Sequence, residues 1–84
     1  MTKYTSKIAI YDANTKILID TYTFIDTARC QQINDMRAMS NAKQAYRDRR
    51  LTELSNKYGD VIYRLADDGL INPIDKYVFE VCNN

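Results

Sequence analysis

The chain has 84 residues, of which 45% are hydrophobic and 11% aromatic, and it contains two glycines and one proline. This composition is typical of a folded globular domain and excludes a disordered tail. A chain of this length buries a limited core, so a large enclosed substrate cavity is not expected. We therefore predict a single domain over residues 1–84.

Charge and cysteine content limit the possible binding partners and cellular compartments. Twelve lysines and arginines balance eleven aspartates and glutamates, so no global field draws the protein to nucleic acid or to an anionic membrane. No apolar run approaches the roughly 20 residues that span a bilayer, and the first seven residues are polar. We predict a cytoplasmic protein without membrane contact, in which Cys30 and Cys82 are reduced. A disulfide between them stays open, because sequence does not give their Cα separation.

Two strand patterns predict a β-hairpin over residues 6–24. Residues 6–12 alternate, with Ile8 and Ile10 on one face, and residues 16–24 are rich in β-branched and aromatic side chains. Turn formers lie between them, and Asn14 is the best candidate for a left-handed conformation. The inner face is expected to carry some of four isoleucines: Ile8, Ile10, Ile17 and Ile19. The other face of the second strand is also apolar, so both sides of the sheet are expected to be partly covered.

A helical segment is predicted over residues 27–68. Asp26 is a good N-cap, so a first helix should begin there. At Ser40–Asn41 two interpretations compete. Asn41 with Gln44 makes a capping box for a new helix, whereas the alanines that follow favour one long rod. Two helices, or one kinked helix, are favoured.

The strongest apolar pattern lies in the second half of this segment. Six side chains fall within an arc of about 100° of a helical projection: Leu51, Leu54, Tyr58, Val61, Ile62 and Leu65. Gly59 interrupts this stripe and marks a close contact or a break. Gly69 is expected to be the left-handed residue of a Schellman end, with Leu65 and Leu70 as its hydrophobic pair. In a rival interpretation, residues 61–65 form a strand and Asp68–Gly69 a hairpin turn.

The last predicted element is a strand over residues 76–82. Pro73 stops any preceding helix, and Tyr77, Phe79 and Val81 then share one face. The order ββααβ predicts an α+β fold: a three-stranded antiparallel sheet with one long kinked helix or two consecutive helices packed on one face.

The sequence lacks the residue combinations that usually carry catalysis or bind metal ions. There is no histidine, the commonest general base and zinc ligand. Gly59 and Gly69 are the only glycines, and neither lies between a strand and a helix in the pattern that the phosphate-binding motifs require. Neither cysteine has a histidine to activate it. Asp60, Asp67 and Asp68 are assigned to a solvated helix face and its closing turn. We predict no enzymatic activity, no catalytic residue, no metal site and no cofactor.

The basic run at residues 43–50 is the strongest signal that the core does not explain. On a helical projection Lys43, Arg47 and Arg50 point nearly in the direction of the apolar stripe. We expect these turns to project past the sheet edge, with Tyr46 beside them, although a solvated helix end is the simpler alternative. Arginine and tyrosine are common anchors of binding surfaces. The predicted partner-binding residues are Lys43, Tyr46, Arg47, Arg49 and Arg50.

These features together predict a small non-enzymatic binding module that acts through a macromolecular interaction surface. A phage or mobile-element accessory protein that inhibits a host defence complex fits a compact chain without catalytic motifs. The expected partner is a protein, from the host or a second copy of the chain. Nucleic-acid binding through the basic helix 43–50 is the alternative, and a homodimer through the apolar stripe is a further possibility.

Overall fold

The computed structural model describes residues 1–83 and contains five elements. These are β1 (Thr2–Asp12), β2 (Leu18–Ala28), α1 (Gln31–Tyr58), α2 (Val61–Asp67) and β3 (Tyr77–Val81). The three strands form one antiparallel sheet in the order β2-β1-β3. The predicted α+β class and the ββααβ order are confirmed. Asn84, the last residue of the predicted domain, lies outside the described residues.

The hairpin is longer than predicted, and its turn is built differently. The carboxylate of Asp12 accepts hydrogen bonds from the backbone N–H groups of Asn14 and Thr15, at 2.8 and 2.9 Å. These bonds hold Asn14 inside an Asx-type turn, so the left-handed residue comes later, at Lys16, whose φ is 64°. The prediction of a left-handed Asn14 was wrong. Donation first from Thr15 and then from Asn14 lowers the pKa of Asp12.

The register of the hairpin decides which side chains face the helix. Ile10 pairs with Asp20, but Tyr11 pairs with Leu18, so the ladder is irregular at this point and skips Ile19. A one-residue shift exchanges the two faces of a strand. Ile8 pairs with Tyr22 and Ile10 with Asp20, so the even-numbered residues of β2 share the helix-facing side. Of the four isoleucines considered for the inner face, Ile8 and Ile10 are buried there, whereas Ile17 and Ile19 are 63% and 49% exposed. The helix-facing residues of β2 are instead Tyr22 and Phe24, which pack on the core.

Among the described residues, a helix covers only one side of the sheet. α1 lies against the face that carries Ile8 and Ile10, both fully buried. Most side chains on the opposite face of β1 and β2 are exposed: Lys3, Thr5, Lys7, Thr21, Thr23 and Ile25. The expectation of partial cover on both sides was therefore wrong, because the apolar residues of β2 that were assigned to a second core are part of the first.

The first helix begins later than predicted. β2 continues to Ala28, which pairs with Thr2, so the chain is still extended at Asp26. The Asp26 carboxylate accepts a hydrogen bond from the N–H of Thr27 at 2.7 Å and caps no helix. α1 starts at Gln31, after the extended residue Cys30. A pairing with the distant N-terminus has overridden the local capping signal.

The break between the helices lies at Gly59. α1 runs without interruption through Ser40 and Asn41 to Tyr58, so the predicted break at residues 40–41 was wrong. Gly59 has φ 89° and ψ 178°, a conformation open essentially to glycine alone. The total of two helices agrees with the favoured prediction. Val61–Asp67 is helical, so the rival strand at residues 61–65 is excluded.

The end of α2 is the predicted Schellman motif. Gly69 has φ 73°, the N–H of Leu70 donates to the carbonyl of Leu65 at 2.9 Å, and the N–H of Gly69 donates to that of Ala66 at 3.1 Å. The side chain of Leu70 is nevertheless 70% exposed, so the expected hydrophobic pair buries little surface. The hydrogen bonds, not apolar contact, define this helix end.

The molecule has two cores, one under each half of α1. The sheet core contains Ile8, Ile10, Ala38, Ala42 and Tyr46, with half-buried aromatic residues of β2 and β3 around it. The helical core contains Leu51, Ile62 and Ala66, with Leu54, Leu65 and Ile71 against it. α2 packs on α1 and not on the sheet. The 28 residues of α1 extend over roughly 42 Å and connect the two cores, in a molecule measuring 44 × 28 × 18 Å.

Candidate interaction surface

The structure separates the five predicted partner-binding residues. All lie on α1, where successive residues rotate by about 100°. Relative to Tyr46, this rotation places Lys43, Arg47 and Arg50 toward one flank of the helix, at about 40° to 100°. Arg49 lies toward the opposite flank, at about 60°. The structure therefore brings three of the five together.

Tyr46 belongs to the sheet core. Its side chain is 3% exposed, and its ring packs edge-to-face on Tyr77 and Phe79, with centroids 5.1 and 5.9 Å apart. Its hydroxyl donates a hydrogen bond to the carboxylate of Asp20 on β2. The predicted position of Tyr46 beside turns that project past the sheet was wrong, because Ala38, Ala42 and Tyr46 recur every four residues and face the sheet.

This environment shifts two pKa values in opposite directions. Burial, followed by the hydrogen bond to Asp20, raises the pKa of Tyr46 to about 12. The same hydrogen bond, followed by one from the N–H of Thr21, lowers the pKa of Asp20. Arg49 lies with its guanidinium carbon 4.7 Å from the centroid of the Tyr46 ring, a cation–π contact. The hydrogen bond from Tyr46 to Asp20 thus links α1 to β2, and Arg49 packs over the ring that makes it.

The other three basic residues, Lys43, Arg47 and Arg50, form what we call the basic flank. Lys43 is exposed, and Arg47 and Arg50 are half-buried. Arg50 makes the one ion pair within residues 1–83, with Glu53 at 3.2 Å. Such a largely exposed pair contributes only about 0–1 kcal/mol. The basic flank is therefore available for contact with a partner.

Two grooves border the basic flank. The strand groove lies between α1 and the end of β3, has a volume of about 610 Å³, and is lined by Met36, Met39, Lys43 and Val81 among others. The loop groove lies beside the helical core, has a volume of about 400 Å³, and is lined by Arg50, Leu54, Tyr58, Leu70 and Asp75 among others. Both contain exposed apolar side chains, such as Met36 at 67% and Leu70 at 70%. One side of α1 thus presents apolar, basic and again apolar surface.

A polar cluster that the sequence analysis missed joins β1 to the start of α1. Ser6 and Asn34 are both completely buried. The Ser6 hydroxyl donates to Asp35 Oδ1 at 2.6 Å and accepts from the Asn34 amide at 2.8 Å. Asp35 Oδ1 also accepts from Gln31 at 2.9 Å and Asn83 at 2.8 Å. Asn34 Oδ1 accepts no hydrogen bond from the residues that the structure describes.

The polar cluster fixes the first turns of α1 and one wall of the strand groove. Burial favours the neutral form of Asp35, but donation from Ser6, Gln31 and Asn83 outweighs it and lowers the pKa of this carboxyl. The signal for the cluster was present in the sequence. Ser6 continues the inward alternation of Ile8 and Ile10, so a polar partner on the helix is required.

The described part of the chain shows no metal site, no disulfide and no membrane-spanning helix. No group of three or more histidine, cysteine, aspartate or glutamate side chains among residues 1–83 could hold a metal ion. Cys30 is exposed, Cys82 is half-buried, and both are free. Within the same residues, neither helix combines the length and the apolar character that crossing a bilayer requires.

No protein-family model matches the sequence, and no curated protein or solved structure matches the chain significantly. A functional proposal must therefore rest on the surface itself. Its distinguishing feature is the basic flank between two apolar grooves.

Proposed function

We propose that this protein is a non-enzymatic binding module that recognises a protein partner through the basic flank and the two grooves beside it. The observation that carries the proposal is the arrangement of three cationic side chains in one row, with exposed Met36 at one end and exposed Leu70 at the other. Arginine, methionine and aromatic residues are enriched at protein interfaces. The complementary partner surface is acidic at its centre and apolar at both ends.

The size of this surface suits a specific interface. From Met36 to Tyr58 the helix rises roughly 33 Å. A standard interface buries about 800 Å² on each partner, which corresponds to a patch of similar width. The basic flank and both grooves can therefore contact one partner at the same time.

Nucleic acid is a weaker candidate for the same surface. Tyr46, the aromatic side chain within the basic run, is buried and cannot stack on a base. Acidic groups interrupt the positive surface: Asp35 lines the strand groove, Asp75 lines the loop groove, and Glu53 pairs with Arg50. A phosphate backbone that followed the helix would meet these carboxylates. The mixture of charges favours a protein partner.

The biological role that we propose is inhibition of a host complex, such as a defence complex, by a phage or mobile-element accessory protein. An inhibitor of this kind needs a surface that occupies a site on its target, and it needs no catalytic residues. The proposal predicts that the captured partner belongs to a multi-subunit host complex. Addition of the purified protein should lower the activity of that complex in proportion to occupancy.

The test is capture of partners from a host lysate by wild type and by the Arg47→Glu, Arg50→Glu variant. We expect the variant to fold, because neither side chain is fully buried, and to lose the partner by tenfold or more, since anchor residues carry most of the binding energy. The matched control is Lys3→Glu, Lys7→Glu, which makes the same charge change on the open face of the sheet. Equal retention or equal loss by both variants would overturn the proposal.

A gel-retardation experiment separates the nucleic-acid alternative. Single- and double-stranded DNA and RNA are mixed with the protein at about 50 mM and about 200 mM salt, a range over which contacts to several phosphates weaken affinity by orders of magnitude. We expect no retardation at either concentration. Retardation that disappears with salt and with Arg47→Glu, Arg50→Glu would favour nucleic acid over protein.

A further inference from the structure

The outer edge of β3 presents free backbone groups to solvent. In the pairing of β3 with β1, the N–H of Cys82 donates to the carbonyl of Lys7 and the N–H of Ala13 to that of Lys76, each at 2.8 Å. Backbone groups alternate in direction along a strand, so the even-numbered residues of β3 point toward β1. Phe79 and Val81 therefore direct their N–H and C=O groups away from β1. Within residues 1–83, no other strand pairs with this side of β3.

This edge lacks most of the features that protect natural sheet edges. Those features are proline, β-bulges and charged side chains that point inward. Tyr77–Val81 contains no proline, pairs with β1 in an unbroken register, and carries its apolar side chains half-buried or exposed. Its short length and the exposed carboxylate of Glu80 are its protection. Such an edge is suited to pairing with another strand.

The sequence of this edge is complementary to itself. Residues 76–80 read Lys-Tyr-Val-Phe-Glu. In an antiparallel pair of two copies related by a two-fold axis at Val78, Val78 faces Val78, Tyr77 faces Phe79, and Lys76 faces Glu80. Opposite charges and aromatic pairs at directly opposed positions stabilise antiparallel strands. Each of these pairs, except that on the axis, occurs twice in the dimer.

The backbone is compatible with this register. Tyr77 and Phe79 both point away from β1, so the N–H of Phe79 can donate to the carbonyl of Tyr77 in the other copy. The N–H of Tyr77 already donates to the carbonyl of Ile74 at 3.2 Å. The reciprocal hydrogen bond, from this N–H to the carbonyl of Phe79 in the other copy, is therefore not formed. A register centred on Glu80 would oppose two carboxylates, and one centred on Phe79 would separate Lys76 from Glu80. Charge thus selects the axis at Val78.

We infer that two copies of this chain associate through β3 to form a continuous six-stranded antiparallel sheet. The strand order is β2-β1-β3-β3-β1-β2, and the contact is isologous, as expected for a two-fold dimer. Both copies of α1 lie on the same face of the joined sheet. The strand groove of each copy borders β3, so the two strand grooves face each other across the axis.

This inference moves the possible homodimer to a different surface. The apolar stripe folds back on itself at Gly59, and Leu51, Ile62 and Leu65 pack together within one chain. The strand edge is also separate from Arg47 and Arg50. The edge adjoins the strand groove, so the basic flank is the part of the partner-binding surface whose variants test partner binding separately from dimerisation.

A charge-swap series tests the dimer by sedimentation equilibrium from micromolar to millimolar concentration. We expect wild type to show a reversible monomer–dimer equilibrium. Glu80→Lys places two lysines opposite each other twice and should weaken the dimer by about tenfold or more. The double variant Lys76→Glu, Glu80→Lys restores opposite charges and should recover dimerisation. A wild type that stays monomeric throughout, or a Glu80→Lys variant that dimerises as wild type does, would overturn the inference.

Cysteine cross-linking gives a second measurement that does not depend on affinity. In a Cys30→Ser, Cys82→Ser background, Val78→Cys places two thiols opposite each other on the axis, within disulfide reach for a directly opposed pair. We expect a covalent dimer on a non-reducing gel after mild oxidation. The matched control Glu80→Cys places its thiols off the axis and should cross-link far less. Equal cross-linking by the two variants would contradict the register.

The Arg47→Glu, Arg50→Glu variant separates this inference from the proposed function. We expect it to dimerise as wild type does while losing its partner. Loss of the dimer in this variant would place the self-association on the basic flank and overturn the strand-edge contact.

Discussion

The sheet-facing half of α1, residues 31–46, buries one asparagine, two alanines and one tyrosine. The half that extends beyond the sheet, residues 47–58, buries Leu51 and half-buries Leu54. Asn34, Ala38, Ala42 and Tyr46 recur every four residues in the first half. The strands supply most of the apolar volume there, through Ile8, Ile10 and Phe79. In the second half Leu51 and Leu54 must supply it, because α2 and Ile71 cover them in place of the sheet. A weak apolar stripe therefore does not indicate an exposed helix when its partner is a sheet.

The two cores also differ in how the chain connects them. The sheet core joins strands and helix segments that are far apart in sequence, and it includes two completely buried isoleucines. The helical core contains three buried residues and is closed through the local turn at Gly59. Regions with few buried contacts and local connections open more readily. We expect the helical core to be the less stable of the two.

Removal of buried isoleucine side chains tests this difference most strongly. Ile8→Ala should lower the free energy of unfolding by about 3 kcal/mol, because the site is fully enclosed. Ile62→Ala should cost about 2 kcal/mol, because Ile62 borders the loop groove and the site can relax. Urea denaturation measures both. The control Ile25→Ala, on the open face, should change the value by less than about 0.5 kcal/mol. An equal cost for the two buried positions would contradict the comparison.

The glycine between the two helices provides the next largest effect. Gly59→Ala forces alanine into a conformation with φ 89° and ψ 178° and should cost about 2 kcal/mol. Gly69→Ala, at φ 73°, should cost about 1 kcal/mol. Neither position has another atom within 4 Å of an added Cβ, so backbone strain alone is measured. Thermal denaturation provides the comparison, and a tolerated Gly59→Ala would show that the helical core does not depend on this break.

Loss of single tyrosine hydroxyls should have the smallest effects. Tyr46→Phe removes the hydrogen bond to Asp20 in the sheet core and should cost about 1 kcal/mol at neutral pH. Tyr63→Phe removes a long, exposed contact to Ser55 at 3.4 Å beside the helical core and should change stability by less than about 0.5 kcal/mol. Urea denaturation at pH 7 compares the two variants.

The cost of Tyr46→Phe should depend on pH at both extremes. The folded pKa of Asp20 is lowered, so its contribution is present above the ordinary value of 3.8 and is lost as pH falls below it. The folded pKa of Tyr46 is raised, so its contribution is present below the ordinary value of 10.0 and is lost as pH rises toward about 12. A difference between wild type and variant that stays constant from pH 3 to pH 11 would contradict the assigned hydrogen bond.

The sequence alone determined those features that depend on neighbouring residues. Alternation identified the three strands, and a helical stripe with Gly69 and Pro73 identified α2 and its end. The order of the elements then led to the α+β class. These signals are local, because side-chain periodicity and the preferences of glycine and proline act within a few residues.

Only the tertiary structure decided the features that depend on distant parts of the chain. Pairing with Thr2 extends β2 past the capping signal at Asp26, and the register with β1 places Tyr22, not Ile19, against the helix. Contact with β2 and β3 buries Tyr46, although the four residues that follow it in sequence are charged. Helical geometry alone separates Arg49 from Lys43, Arg47 and Arg50, but it does not predict the burial of Tyr46. Which side of a helix is buried depends on where the sheet lies, and that is set by contacts between residues far apart in the chain.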